Sequence, residues 1–254
     1  MASYNSFIFA GHGKSERTGI YDPGAVNGSI TEYNLVTEIS KAAQKYLSKT
    51  GLKIHYDNNN FSDEDLAGNT YTARCGISIH INAGGGKGTE VYVPSKEKYL
   101  NSDFELVNAI SKELGIPNRG VKSRDYSSGR TVNRTNGVAL GYTDYYKEIR
   151  DAWSRGISLS LIEVGFIDTS DLNKIMDNID EVGFLIAKYI AGVCGKTLTE
   201  TDIPTKPTKP PTSSNTTYYR VVAGSFRDRQ NAEERVKELK KKGYSGVFID
   251  IYKP

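Results

Sequence analysis

The chain has 254 residues, 37% hydrophobic and 25% charged, a globular composition with room for one catalytic-size domain and a small appendage. The net charge of +3 is too small to argue by itself for a nucleic-acid partner, and no segment is long and apolar enough to span a membrane. From Tyr218 onward nine Lys/Arg face five Asp/Glu, so the tail is basic. Such a run suits an anionic or polymeric partner, or a solvated helix face.

The first apolar run, SFIFAGHG, predicts a strand ended by glycine. Its leading residues lack a basic region followed by a long apolar stretch, so no secretory leader is expected. Leu35, Val36, Ile39, Ala43, Tyr46 and Leu47 recur at helical spacing, with Gly51 placed to stop the helix. LKIHYDN predicts a second strand, and the polar stretch from Asn58 to Ala67 a loop. GISIHIN alternates three isoleucines with Ser78, His80 and Asn82, the period of a strand with two different faces, and TEVYVP follows as a fourth strand. SDFELVNAISKELG has helical periodicity through Phe104, Leu106, Val107, Ile110 and Leu114. SLSLIEVGFID is a buried strand, and LNKIMDNIDEVGFLIAKYIAGVCG closes the region as one or two helices. This alternation predicts an α/β fold, a central mostly parallel sheet flanked by helices, over residues 1–196. Cys75 and Cys194 lack metal-type spacing and are expected to be buried thiols.

Residues 197–217 carry four prolines among Thr, Ser and Lys and predict an extended linker. Residues 218–254 then read strand, helix, strand, with Asn231 placed to cap the helix and Gly243 to end it. This unit is too small to be stable by core burial alone.

Only three histidines occur: His12, His55 and His80. His12 and His80 end different strands, and ligands gather at the carboxyl ends of strands in α/β sheets. Two imidazoles arriving there can share a zinc ion, which takes three protein ligands when catalytic. Glu32 is the best third ligand, although Ser29-Ile30-Thr31-Glu32 also fits a helix capping box. His80 and His12 each admit a structural reading, and His55 reads as ordinary surface. Glu163 interrupts a run that looks fully buried, where an unpaired carboxylate is costly. It is either a salt-bridged core residue or a general acid/base.

In order, GHG, DPGA, TE, SIHINAGGGKGTEVYV and LIEVGFID resemble the zinc-dependent N-acetylmuramoyl-L-alanine amidases of the amidase type 3 family, over about residues 5–195. The resemblance implies zinc held by His12, Glu32 and His80, with Glu163 as acid/base. It implies hydrolysis of the amide joining N-acetylmuramic acid to L-alanine in peptidoglycan. Phe9-Ala10 depart from the family's usual Asp-Pro before GHG, and Arg74 is the only arginine left of an Arg-rich helix ahead of SIH. Residues 123–155, with Tyr142, Tyr145, Tyr146 and Trp153, look longer than the family needs and predict either a groove wall or a packed surface helix. Asn82 shares a face with His80 and either orients substrate or bonds to backbone.

The tail resembles one half of the peptidoglycan-binding SPOR module, through YYRVVAGSF and NAEERVKELKKKGY. Two such halves, one from each of two chains, complete a sheet and predict a homodimer through residues 218–254. The expected partner is peptidoglycan, with no nucleic acid and no membrane. The expected setting is synthesis in the bacterial cytoplasm and action on the wall after release. A bacteriophage endolysin that lyses its host is the expected setting, with a lytic amidase of a spore former as the second fit. A zinc peptidase cutting within the stem peptide, and an inactive wall-binding protein, are the alternative functions.

Overall fold

The computed structural model describes residues 2–15, 18–57, 71–199, 224–244 and 247–249. They form two compact units, one ending at Pro204 and one beginning at Thr205.

Seven strands make the main sheet of the first unit: β1 (Ser6–Ala10), β2 (Ile54–Asp57), β3 (Cys75–Asn82), β4 (Thr89–Tyr92), β5 (Asn118–Arg124), β6 (Thr131–Arg134) and β7 (Ser158–Phe166). Their spatial order is β6-β5-β4-β7-β3-β1-β2. The pairs β4/β5, β7/β3, β3/β1 and β1/β2 are parallel, while β4/β7 and β5/β6 are antiparallel. The sheet is therefore mostly parallel, as the α/β alternation predicts.

Period-two alternation sends the sheet's side chains to two cores. On one face Ile8, Ile77, Ile79, Ile81, Val91 and Ile162 meet the helices α1 (Glu32–Leu47), α2 (Asn101–Leu114), α4 (Asp171–Asp177) and α5 (Ile179–Val193). On the other, Phe7, Phe9, Tyr92, Leu159 and Leu161 pack with Ile149 and Ala152 of α3 (Lys147–Ser154). The long insertion thus supplies a packed helix, as one of its two readings holds. The C-terminal segment of this unit divides into two helices at Asn178. Helices α1 and α5 approach closely at Gly183, where an added Cβ would stand 2.9 Å from the Ala43 backbone nitrogen.

Strands β5 and β6 have no counterpart among the expected elements. NRGVKSR and TVNR are too polar to show an apolar face, yet Lys122, Ser123 and Arg134 are buried. Pairing with β4 and internal polar partners decide their conformation; Arg134, for example, donates to the carbonyls of Pro94, Glu97 and Val138. The cysteines, distant in sequence, bring their Sγ atoms within 3.9 Å, and Cys194 is only partly buried rather than buried.

In the second unit, α6 (Arg229–Lys241) begins at Asp228, whose carboxylate accepts from the Gln230 amide at 2.7 Å. The cap is therefore Asp228, not Asn231: an extended aspartate ahead of the helix outcompetes a residue already inside it. Gly243, at φ 92, follows the helix end. Most of the expected linker, residues 200–217, lies outside the described residues, as does the loop 58–67 and much of the two strands expected to flank α6. Among the described residues no helix is long and apolar enough to cross a membrane.

Candidate metal centre

The carboxyl ends of β1, β3 and β7 form one edge of the sheet, and the sequence-predicted site residues meet there. After Ala10 the chain turns through Gly11-His12-Gly13, tied to β3 by the Gly11 amide donating to the Ile79 carbonyl at 3.0 Å. His12 has φ 68, the left-handed region that non-glycine residues rarely occupy. Its surroundings hold it there. Gly13-Lys14 pairs antiparallel with Tyr21-Asp22, which brings Asp22 Oδ2 to 2.8 Å from His12 Nδ1. Asp22 Oδ1 accepts from the Gly24 amide at 2.9 Å.

Glu32 is the first residue of α1, capped by Thr31, whose hydroxyl accepts from the Asn34 amide. The capping box centred on Ser29 does not form. The Glu32 carboxylate instead turns toward the sheet, accepting from the amides of Ala25 and Ile81, each at 2.9 Å. Its Oε1 lies 3.1 Å from His12 Nε2 and 3.1 Å from His80 Nδ1. One ligand atom from each of His12, Glu32 and His80 lies within 4.8 Å of the others, so this cluster can hold a metal ion.

Two glycines make this convergence possible. A Cβ at Gly11 would collide with the His80 imidazole. At Gly24, with φ 66, it would stand 2.6 Å from His12 Cδ2 and 2.7 Å from Glu32 Oε2. His55 takes no part; it lies on β2 with its ring 5.1 Å from Tyr4.

Electrostatics separates the carboxylates. Burial pushes the Glu32 pKa up, but hydrogen bonds and charge from His12 and His80 hold it well below the ordinary carboxylate range. Burial lowers the imidazole pKa values, but Glu32 outweighs it, raising His12 and carrying His80 to about 9 with help from Glu148. A cation binding here must displace those ring protons.

Glu163 lies directly across from His80 on the neighbouring parallel strand. Burial pushes its carboxyl up to about 8; the His80 charge opposes this, and Glu32 and Glu90 reinforce it. Its Oε2 is buried with no hydrogen-bond partner among the described residues. The salt-bridged glutamate is Glu90 instead, across from Glu163 on β4 and paired with Arg119 at 2.6 Å and with Lys122. Asn82 donates to Glu90 Oε1 at 3.2 Å, which joins it to that ion cluster; its Oδ1 accepts from the Ala83 amide.

Sequence reasoning passes over two further carboxylates. Asp22 carries the signal of its DPGA motif, but nothing local says that it reaches His12. Glu148, in the first turn of α3, accepts from Ser78 at 3.1 Å and places Oε1 3.7 Å from His80 Nε2. Of the glycines after Ala83, Gly84 and Gly85 are open, with nothing near an added Cβ, whereas a Cβ at Gly86 would collide with the Phe166 ring. Gly84 and Gly85 are also anchored, because Asp168 Oδ2 accepts from both amides at 2.8 and 2.9 Å.

Comparison with known proteins extends this picture. The family model for N-acetylmuramoyl-L-alanine amidase, Amidase_3, matches residues 7–193. The SPOR domain model matches residues 196–250 and takes in the Pro/Thr-rich stretch as well as the tail. The sporulation-specific N-acetylmuramoyl-L-alanine amidase of Bacillus subtilis (strain 168) is 25% identical over 254 residues, covering 96% of this chain and 83% of the relative. Two solved structures share the fold. Cwp6 from Clostridium difficile is 22% identical with a TM-score of 0.53, over 76% of this chain but 29% of that one. The catalytic domain of CwlV, an N-acetylmuramoyl-L-alanine amidase from Bacillus (Paenibacillus) polymyxa var. colistinus, is 20% identical with a TM-score of 0.51, over 76% and 97%. With most of its length matched and the ordered His-Glu-His edge on a mostly parallel sheet, the chain belongs to the Amidase_3 family of N-acetylmuramoyl-L-alanine amidases.

Proposed function

We propose that the protein binds zinc through His12, Glu32 and His80 and hydrolyses the amide between N-acetylmuramic acid and L-alanine in peptidoglycan, with Glu163 as general base and then general acid. The observation that carries this reading is the convergence of the three ligand atoms beside a carboxyl whose Oε2 has no partner. Two imidazole nitrogens and one carboxylate oxygen are a donor set that fits zinc and leaves a position for chemistry. A zinc ion held there would supply Lewis-acid chemistry, polarising the scissile carbonyl and acidifying water.

The chain's own residues do the rest. Asp22 accepts from His12 Nδ1–H and so keeps the Nε2 lone pair directed at the cluster. Glu163, raised toward neutrality by burial, takes a proton from the attacking water and returns it to the leaving amine. Its raised pKa makes it a stronger base than an exposed glutamate, and a bound cation lowers that value toward working pH.

The SPOR match supports binding to peptidoglycan through the C-terminal unit, and pairing of two such units in a homodimer is part of the proposal. Of the two settings, the end-to-end likeness to a sporulation-specific amidase favours a lytic enzyme of a spore-forming cell. A bacteriophage endolysin is the other setting, and it calls for the same chemistry. Mass spectrometry of digested sacculi tests the reaction: free N-terminal L-alanine with intact glycan is expected. New ends deeper in the stem peptide would instead identify a peptidase, and no products an inactive binder. Glu163→Gln should abolish hydrolysis while zinc stays bound; full activity in that variant would remove Glu163 from the mechanism.

A further inference from the structure

The row of side chains that contains His80 and Glu163 continues across the sheet. Glu90 on β4 lies opposite Glu163, and both Arg119 and Lys122 of β5 bond to Glu90 Oε2. Strand β4 runs antiparallel to β7, and β5 runs parallel to β4. The first residues of β5 therefore lie at the same edge as the carboxyl ends of β3 and β7. Two cations share one carboxylate here, which leaves one positive charge in excess.

Arg119 is placed to present that charge. Its Nε donates to Glu90 at 2.6 Å, while among the described residues its two terminal nitrogens have no partner. Its side chain is 36% exposed against 2% for Glu90. The guanidinium carbon lies 5.1 Å from the centroid of the Phe166 ring, at the end of the strand that carries Glu163. Stacking on the ring and the bond to Glu90 fix the plane of the fork, and a guanidinium held in this way matches a carboxylate.

We infer that Arg119 forms a carboxylate-binding subsite for the stem peptide, on the leaving-group side of the scissile amide. This rests on the amidase reading above. Neighbouring strands lie about 4.8 Å apart. The Arg119 head, folded back against Glu90 on β4, is then about 10 Å from His80, two strands away. An extended peptide advances about 3.4 Å per residue, so this span reaches the second or third residue beyond the cleaved bond. The subsite therefore selects stem peptides with a free carboxylate at that distance over peptides in which the same group is an amide.

The test compares soluble muramyl peptides that differ only by amidation of the carboxylate on the second or third residue. The zinc-loaded full chain is expected to prefer the free acid at one of these positions by about tenfold in kcat/KM, the scale of a charge-assisted hydrogen bond. Arg119→Ala should bring that preference within twofold, mainly by raising KM for the acid. Arg119→Lys should retain part of it. A wild-type enzyme that cleaves acid and amide equally would overturn the subsite and leave the amidase reading standing. So would an Arg119→Ala variant that slows both substrates in proportion. Cleavage of neither substrate at the muramyl amide would overturn both. Should Arg119→Ala fail to fold, the wild-type preference and the Arg119→Gln variant decide the question in its place.

Discussion

Asp22→Asn is the sharpest probe of the metal centre, because it changes one oxygen to nitrogen and leaves the shape intact. Asp22 Oδ1 accepts from the Gly24 amide at 2.9 Å, and Oδ2 faces His12 Nδ1 at 2.8 Å. In the variant, the amide oxygen must stay on the Gly24 N–H, since an NH2 group there would meet another donor. The NH2 group then faces Nδ1 and donates to it. Nδ1 becomes the acceptor, and the proton moves to Nε2, the nitrogen that points at Glu32 and the metal cluster. Metal binding must now expel that proton and break the new bond. Loss of a carboxylate behind a metal-bound histidine weakens affinity by about 10–100-fold, or about 1.4–2.7 kcal/mol. Asp22→Ala leaves Nδ1 to water and should fall near the lower end, with Asp22→Asn at the upper end. Competition with a chromophoric chelator at neutral pH measures zinc affinity for the three proteins. Zinc affinity in Asp22→Asn within about threefold of wild type would refute the tautomer argument.

Exhaustive chelation should abolish hydrolysis, and zinc should restore it while raising the melting temperature by mass action; activity that persists without metal would contradict the proposed centre. Glu163 sets a pH dependence in the metal-free protein. Its folded pKa of about 8 lies above the ordinary 4.5, so the native state holds a proton that the unfolded state has lost between those values. Its contribution to stability therefore falls as pH rises through that window, by at most about 1.4 kcal/mol per pH unit. Urea unfolding of Glu163→Gln should lack this component, and parallel profiles for the two proteins would refute the burial argument. Gly183→Ala should lower stability by about 1–2 kcal/mol, because overlap with Ala42 and the Ala43 backbone outweighs the ~1 kcal/mol gained in helix propensity. A stabilised variant in the same assay would show that α1 and α5 can separate freely.

Much of this protein is written in local patterns. Alternation in GISIHIN places Ile77, Ile79 and Ile81 in one core and frees Ser78, His80 and Asn82 for the other face, because successive strand residues point to opposite sides. The 3.6-residue spacing of Leu35, Val36, Ile39, Ala43 and Tyr46 does the same for α1. Local pattern marks His12, Glu32, His80 and Glu163 one by one and leaves each a structural alternative; the family resemblance is what joins them into one set.

Tertiary structure decided what those patterns leave open. Polar β5 and β6 are strands because neighbours supply their hydrogen bonds. Glu32 serves the cluster and not a capping box because the turn before it hands the cap to Thr31 and leaves its carboxylate facing two imidazoles. Asp22 reaches His12 through a short local pairing, whereas Glu148, Glu90 and Arg119 acquire their places only when elements distant in the chain lie side by side. A periodic pattern reports which way a side chain points from its own backbone. Which charged group it meets depends on sheet order, and sheet order is a property of the folded whole.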